Sequence, residues 1–360
     1  MERRKSKQIH IGEVLVGGDA PVSVQSMTNT DTRDPAATLA QIQGLRQAGC
    51  EIIRLAVPDD EAARALGQIV PQSPLPVIAD IHFDYRLAVQ AVQRGVHGLR
   101  LNPGNIGARW KVQEVVRAVK ERNIPLRIGV NAGSLEKDLL ERDGGPTAQG
   151  MVESALRHVR LLEEAGYDQI KISLKSSQAP LLLEAYRQIA GQVEYPLHLG
   201  VTEAGTARSG VIKSAVGIGA LLAEGIGDTL RVSLTGDPLS EIPVALEILR
   251  VLGLRQRGVE LISCPTCGRT EIDLAALAEQ TEDQLSALPP LDRPLKVAVM
   301  GCVVNGPGEA READFGIAGG RGQGLLFRHG EIIAKLPENE LLPALFQEIS
   351  EYARLHEQKG

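Results

Sequence analysis

From residue 22 to about residue 253 the chain alternates short β-branched runs with longer amphipathic ones, and this rhythm restricts the available folds more than any other feature. Eight runs read as strands: residues 22–27, 51–57, 76–82, 98–103, 125–131, 169–176, 195–203 and 229–236. A helical pattern follows each. The first helix carries its own punctuation, with Asp34 as N-cap, Pro35 at the first helical position, Leu39, Ile42 and Leu45 on one face and Gly49 as the stop. Gly95, Gly166, Gly191 and Gly225 end later helices just before a new strand begins. Eight strand–helix units in about 230 residues predict a (β/α)8 barrel of the TIM type, which is normally about 250 residues long. An open doubly wound sheet is the alternative. No GxGxxG opens a helix and no GxxxxGK[ST] occurs, so its nucleotide-binding versions lack their marker.

Beyond residue 254 the rhythm breaks. Residues 259–263 and 296–300 are strand-like, residues 273–285 are helical, and each strand-like run feeds directly into cysteines. Short β runs follow at 315–318, 324–327 and 331–335, then a last helix from about 338 to 356. The five glycines of the 316–324 stretch lie between strand-like segments and read as a turn rather than a phosphate cradle. The predicted fold class is therefore α/β, a barrel over residues 1–254 joined to a smaller α+β domain over 255–360. A chain of 360 residues is long enough for two cores.

A net charge of −6 and only 3% aromatic residues argue against a nucleic-acid or anionic-membrane binder. The first residues are basic, but no apolar run follows them as in a signal peptide, and no stretch approaches 18 uninterrupted apolar residues. A cytoplasmic protein is expected.

Against this acidic background, the strand candidates carry cations. At spacing two, which places them on one strand face, stand Gln25, Arg54, Asp80 with His82, Arg100 with Asn102, Arg127 with Asn131, and Lys171 with Ser173 and Lys175. His198, Thr202 and Glu203 follow, then Arg231 and Ser233. Most fall in the later halves of their strands, and those ends converge on the mouth of a parallel barrel, where such folds place chemistry. Six bases (Arg54, Arg100, Arg127, Lys171, Lys175 and Arg231) face two acids, Asp80 and Glu203. Buried cations cost several kcal/mol unless compensated, so the pattern calls for an anionic ligand, and arginine forks suit a phosphate or diphosphate ester. Layer-filling ion pairs are the plainer explanation for any one of these residues. Glu203, Asp80 and His82 are left for proton transfer.

The second domain contains Cys264-Pro265-Thr266-Cys267-Gly268-Arg269 and, 35 residues after Cys267, Cys302-Val303-Val304-Asn305-Gly306-Pro307-Gly308-Glu309. In a reducing compartment such a cluster suggests metal ligation sooner than disulfides. Structural zinc and an iron–sulfur cluster both remain open, though zinc lacks its usual fourth thiol or imidazole beyond His329. Glu309 is the candidate fourth ligand, harder than thiolate and more easily displaced; by residue type alone it reads sooner as a helix-start acid after Gly306-Pro307-Gly308. Cys50 stands apart and is given no role.

These motifs, with Val24-Gln25-Ser26-Met27-Thr28, Ile78-Ala79-Asp80-Ile81-His82-Phe83, Leu99-Arg100-Leu101-Asn102-Pro103-Gly104-Asn105-Ile106-Gly107, Ile128-Gly129-Val130-Asn131-Ala132-Gly133-Ser134 and His198-Leu199-Gly200-Val201-Thr202-Glu203-Ala204-Gly205, span nearly the whole chain. The chain resembles the bacterial 4-hydroxy-3-methylbut-2-en-1-yl diphosphate synthases of the non-mevalonate isoprenoid pathway. The resemblance implies a barrel joined to a 4Fe-4S iron–sulfur domain, with the cluster held by Cys264, Cys267, Cys302 and Glu309. It also implies reductive opening of a cyclic diphosphate, electrons from flavodoxin or ferredoxin, and a head-to-tail homodimer. On this reading Arg54, Arg100, Asn102, Arg127, Asn131, Lys171, Ser173, His198, Thr202, Arg231 and Ser233 bind substrate. Glu203, backed by Asp80 and His82, supplies the proton. Two rivals stay in view: a cluster-bearing electron carrier with a regulatory phosphate site, and a zinc-stapled aldolase using Lys171 or Lys175 as a Schiff base.

Overall fold

A computed structural model describes residues 2–255, 259–286, 288, 295–302 and 310–357. The chain divides into two compact units, Met1–Arg255 and Gln256–Gly360.

The first unit opens with an antiparallel hairpin, β1 (Ile9–Ile11) and β2 (Val14–Val16), which the sequence reading did not anticipate. Its Ile9, Ile11 and Val16 pack on Ile52 and Ile78, at the starts of two barrel strands, so the hairpin covers the barrel floor. The barrel strands are β3 (Ser23–Met27), β4 (Ile52–Ala56), β5 (Val77–Asp80), β6 (Gly98–Leu101), β7 (Leu126–Asn131), β8 (Ile170–Lys175), β9 (His198–Leu199) and β10 (Thr229–Leu230). They form one sheet in the order β8-β7-β6-β5-β4-β3-β10-β9, with parallel neighbours throughout. The sheet closes between β8 and β9 through the Ile172–Leu197 bridge. Buried Tyr186 reinforces that seam: its hydroxyl accepts from the Leu174 N–H at 3.0 Å and donates to the His198 carbonyl.

Two strands are much shorter than expected, β9 and β10 having two residues each where runs at 195–203 and 229–236 were anticipated. Pro196 offers no N–H to the ladder. After the Arg231 N–H bonds to the Leu199 carbonyl at 2.9 Å, the chain turns away toward Glu241, whose carboxylate receives the Leu234 N–H. The polar tails of both runs are thereby released into loops at the mouth.

The helices are α1 (Pro35–Gln47), α2 (Asp60–Gln72), α3 (Tyr85–Gln93), α4 (Pro103–Ile106), α5 (Arg109–Arg122), α6 (Lys137–Asp143), α7 (Ala148–Glu164), α8 (Ala179–Ala190), α9 (Ala207–Ala223) and α10 (Glu241–Val251). The anticipated cap holds: Asp34 Oδ1 accepts from the Ala37 N–H at 3.0 Å, with Pro35 opening α1. Gly95, Gly166 and Gly225 leave their helices at φ +88°, +70° and +77°, where a Cβ would be strained. Gly191 differs, ending α8 at φ −85° in ordinary right-handed geometry.

The second unit is a five-stranded sheet of β11 (Val259–Ser263), β12 (Leu295–Met300), β13 (Phe315–Ala318), β14 (Gln323–Arg328) and β15 (Glu331–Pro337), in sequence order. The first three strands are parallel and the last three antiparallel. Helices α11 (Leu274–Ser286) and α12 (Glu338–Glu357) pack their Leu274, Leu341, Leu345 and Ile349 onto Val297, Phe315 and Ile317. The glycine-rich stretch makes the β13–β14 turn, as its composition suggested.

Candidate functional site

Parallel register puts Asp80, Arg100, Arg127 and Lys171 side by side across β5, β6, β7 and β8. Asp80 accepts from Arg100 Nη1 at 3.0 Å and pairs with Arg54 at 3.4 Å, all three being buried. Burial alone would raise the Asp80 carboxyl, but Arg54, Arg100 and Arg127 together hold it down at about 2. Burial draws Arg54 down to about 10 despite Asp80. Room for this arrangement comes from Gly129, where a Cβ would lie 2.6 Å from Arg100 Nε.

On the opposite wall, Arg231 presents Nε and Nη2 to the Glu241 carboxylate at 3.3 Å each. Glu241 is buried and also accepts from Ser26 Oγ at 3.1 Å. Sequence reasoning missed it, because the first residue of α10 looks like any acid at a helix start. Between the walls, the Met27 thioether takes Arg54 Nη2 at 3.0 Å and Arg231 Nη1 at 3.6 Å.

The six cations thus meet two buried carboxylates, and the shortfall is visible atom by atom. All three guanidinium nitrogens of Arg127 are buried without a hydrogen-bond partner, as are Lys171 Nζ, Arg100 Nε and Asn102 Oδ1. Burial, then Arg54 and Arg100, pull the Arg127 guanidinium well below its ordinary range.

The residues do not all stand at one level. Lys175 and Asn131 end β8 and β7, and Asn102, Thr202 and Ser233 lie just past their strand ends, at the mouth. Gly200 is needed beside them, since a Cβ there would sit 2.9 Å from the Arg231 carbonyl and 3.6 Å from Lys175 Nζ. Lys175 belongs with the mouth set although the sequence reading left it out of the binding residues. Arg127, Lys171 and His198 start lower in the wall: Arg127 is the second residue of β7, Lys171, its register partner, the second of β8, and His198 the first of β9. Four residue steps lead from Lys171 to Lys175, about 13 Å along the strand. Ser173 Oγ is spent on the Ile128 carbonyl at 3.2 Å.

Of the three acid–base residues, His82 is exposed, 3.5 Å from Arg100 Nη1 and 3.7 Å from Asp80. Glu203 is exposed at the end of the β9 run, with φ +52°. A non-glycine residue in the left-handed region costs on the order of 1 kcal/mol, so the surrounding loop holds this carboxylate in a chosen direction. Cys50 is buried, its thiol pushed up to about 12 by desolvation, which makes it inert.

In the second unit, β11 and β12 are parallel neighbours with Ser263 opposite Val299, so Cys264 and Cys302 leave adjacent strand ends on the same side of the sheet. Cys264 Sγ accepts from the Gly301 N–H at 3.3 Å. Cys267 is exposed on the turn between, and hydrogen bonds from the Arg269 backbone and side chain lower its thiol. Glu309 lies outside the described residues. Among the described residues no three metal-binding side chains converge. The donor set nonetheless suits a soft metal, with three thiols on one edge and His329 engaged with Asp314 at 3.8 Å at the opposite end of the sheet. That placement leaves zinc without an imidazole.

Two family models match the chain: GcpE TIM-barrel domain over residues 6–246 and GcpE protein C-terminal domain over residues 260–351. A relative from Geobacter sulfurreducens, described as 4-hydroxy-3-methylbut-2-en-1-yl diphosphate synthase (flavodoxin), is 65% identical over 347 residues, covering 96% of this chain and 98% of its own. A relative from Maridesulfovibrio salexigens with the same description is 58% identical over 361 residues, covering 100% of this chain and 99% of its own. Among solved structures, a type I 3-dehydroquinate dehydratase from Clostridium difficile aligns with a TM-score of 0.50 at 15% identity, over 69% of this chain and 97% of that one, a likeness of fold alone.

Proposed function

This chain belongs to the GcpE family, and from that premise we propose how its residues share the work of the reaction. The protein is an oxidoreductase that opens 2-C-methyl-D-erythritol 2,4-cyclodiphosphate with two electrons, giving 1-hydroxy-2-methyl-2-butenyl 4-diphosphate and water in isoprenoid precursor biosynthesis. Flavodoxin supplies the electrons; ferredoxin is a second donor consistent with the same chemistry.

The observation that carries the assignment of the substrate site is the buried excess of positive charge, above all the unpartnered Arg127. Arg54, Arg100, Arg127, Lys175 and Arg231 grip the diphosphate, with Asn102, Asn131, Thr202 and Ser233 as hydrogen-bonding neighbours. Asp80 and Glu241 aim the guanidiniums, and gripping the diphosphate fixes the carbon skeleton for reaction. Glu203 protonates the departing oxygen, with His82 as the second source. Asp80, held at about 2, stays ionised near neutral pH and serves the arginines rather than the proton.

Cys264, Cys267, Cys302 and Glu309 would hold a 4Fe-4S cluster, which when bound supplies electrons and a Lewis-acidic iron. The barrel unit is thus the substrate domain and the second unit the cluster domain. A head-to-tail homodimer in the cytoplasm completes the reading. No described helix is long and apolar enough to cross a membrane.

The test is anaerobic purification with iron and sulfide analysis, followed by assay on the cyclic diphosphate with reduced flavodoxin. Brown protein with about four irons per chain and turnover is expected. Colourless, iron-free protein would overturn the reading.

A further inference from the structure

We propose that Met27 is an oxidation-sensitive modification site inside the diphosphate grip: a hydroperoxide converts its thioether to the sulfoxide, whose oxygen draws Arg54 and Arg231 away from the substrate. The inference rests on the reading of those two arginines as diphosphate ligands, and adds a way of disabling them. In the sheet β3 lies between β4 and β10, and Met27 is its last residue. Arg54 is the register partner of Met27 on β4, and Arg231 directly follows Leu230, the end of β10. Met27 Sδ lies 3.0 Å from Arg54 Nη2, 3.2 Å from Arg54 Nε and 3.6 Å from Arg231 Nη1, so guanidiniums from both neighbouring strands converge on one sulfur. A thioether is only a weak acceptor. It gives these N–H groups a partner before substrate binds and yields them readily to diphosphate oxygens, whereas Glu241 keeps Nε and Nη2 of Arg231 by charge.

Oxidation reverses that ranking. A sulfur lone pair attacks one oxygen of hydrogen peroxide, the O–O bond breaks, and two electrons pass from sulfur to the peroxide. The attached oxygen gives its proton to the departing hydroxide, which leaves as water, and a sulfoxide remains. Its oxygen is a strong acceptor on a sulfur already within reach of three arginine nitrogens, and it takes up space between the two guanidiniums. The sequence also makes the site selective. Of the four methionines, Met151 and Met300 are 0% and 3% exposed and Met1 lies outside the described residues. Met27 is partly exposed, so a small peroxide reaches it ahead of the two core methionines.

The experiment treats the protein with graded hydrogen peroxide, then reduces its thiols with dithiothreitol and reconstitutes the cluster anaerobically, so that only sulfoxide persists. Peptide mass spectrometry gives the fraction of Met27 carrying one added oxygen. Isothermal titration calorimetry with the cyclic diphosphate and no reductant reads binding without turnover. The oxidised fraction should bind about 10- to 100-fold more weakly, the effect of losing one charge-assisted contact, and the loss should track Met27 sulfoxide across the titration. Met27→Leu, a swap that conserves volume, should keep through the same treatment the affinity it had before. Met27 left unoxidised while affinity falls, Met27 oxidised with affinity intact, or an equal loss in the variant each overturns the proposal. Should the variant not fold, the tracking in the native protein decides. Absence of binding before any peroxide would overturn the diphosphate reading as well, whereas intact binding after oxidation removes this inference alone.

Discussion

Replacing Gly129 by alanine adds a single methyl group where the structure has no room for one. The new Cβ would stand 2.6 Å from Arg100 Nε, 2.9 Å from its Nη2 and 3.1 Å from its Cζ. The backbone at Gly129 is ordinary strand, so the strain is wholly steric. Arg100 is 8% exposed and tied to Asp80, and yielding by a few tenths of an ångström breaks or stretches that bond. Overpacking costs about 1–3 kcal/mol, and losing a charge-assisted buried bond about 1.5–3. A loss of about 3–5 kcal/mol is expected, lowering the melting midpoint of the barrel unit by about 6–20 °C. Because Arg100 is also displaced from the diphosphate, kcat/KM should fall about 10- to 100-fold, mostly through KM. Gly133→Ala is the matched control, three residues after the strand's Val130, with nothing within 4 Å of its added Cβ. Differential scanning calorimetry and steady-state assay of both variants settle the matter. If Gly129→Ala melts and turns over like Gly133→Ala, the close packing of Arg100 on this strand is wrong.

Three further expectations follow from the same site. Glu203→Gln should keep the cluster absorbance and lose turnover; full activity would remove Glu203 as the proton source. Glu241→Gln leaves Arg231 with a neutral partner, so KM should rise about tenfold with a smaller change in kcat, and an unchanged KM would show that Arg231 needs no such guide. For Asp80, the folded carboxyl at about 2 lies below an unfolded value of about 3.9. Its contribution of about 2–3 kcal/mol is therefore present above about pH 4 and lost as pH falls toward about 2. Asp80→Asn should flatten that part of the acid-denaturation profile, and an unaltered slope would refute the pairing.

How much the sequence disclosed depended on whether the signal was local. Asp34, Pro35 and the glycines after α3, α7 and α9 marked helix ends because capping involves neighbours in the chain. The barrel and the cation-rich strands were legible because both rest on simple periods. Depth was not: spacing two puts Lys171 and Lys175 on one face without saying that one lies near the start of the strand and the other ends it. Glu241 stayed hidden because its meaning depends on Arg231 and Ser26, the latter 215 residues away. The β1–β2 hairpin was overlooked because three-residue strands fall below what alternation can reveal.

The chain's opening residues are stitched to its distant ones. Arg3 reaches the Gly227 carbonyl and Asp228, the Arg4 N–H meets the Gly225 carbonyl at 2.9 Å, and its guanidinium reaches the Val193 and Tyr195 carbonyls. During synthesis these residues are made 189 to 225 positions ahead of the partners named here, a span whose closure is entropically slow to gain its reward. What is made early, the folding barrel fastens late.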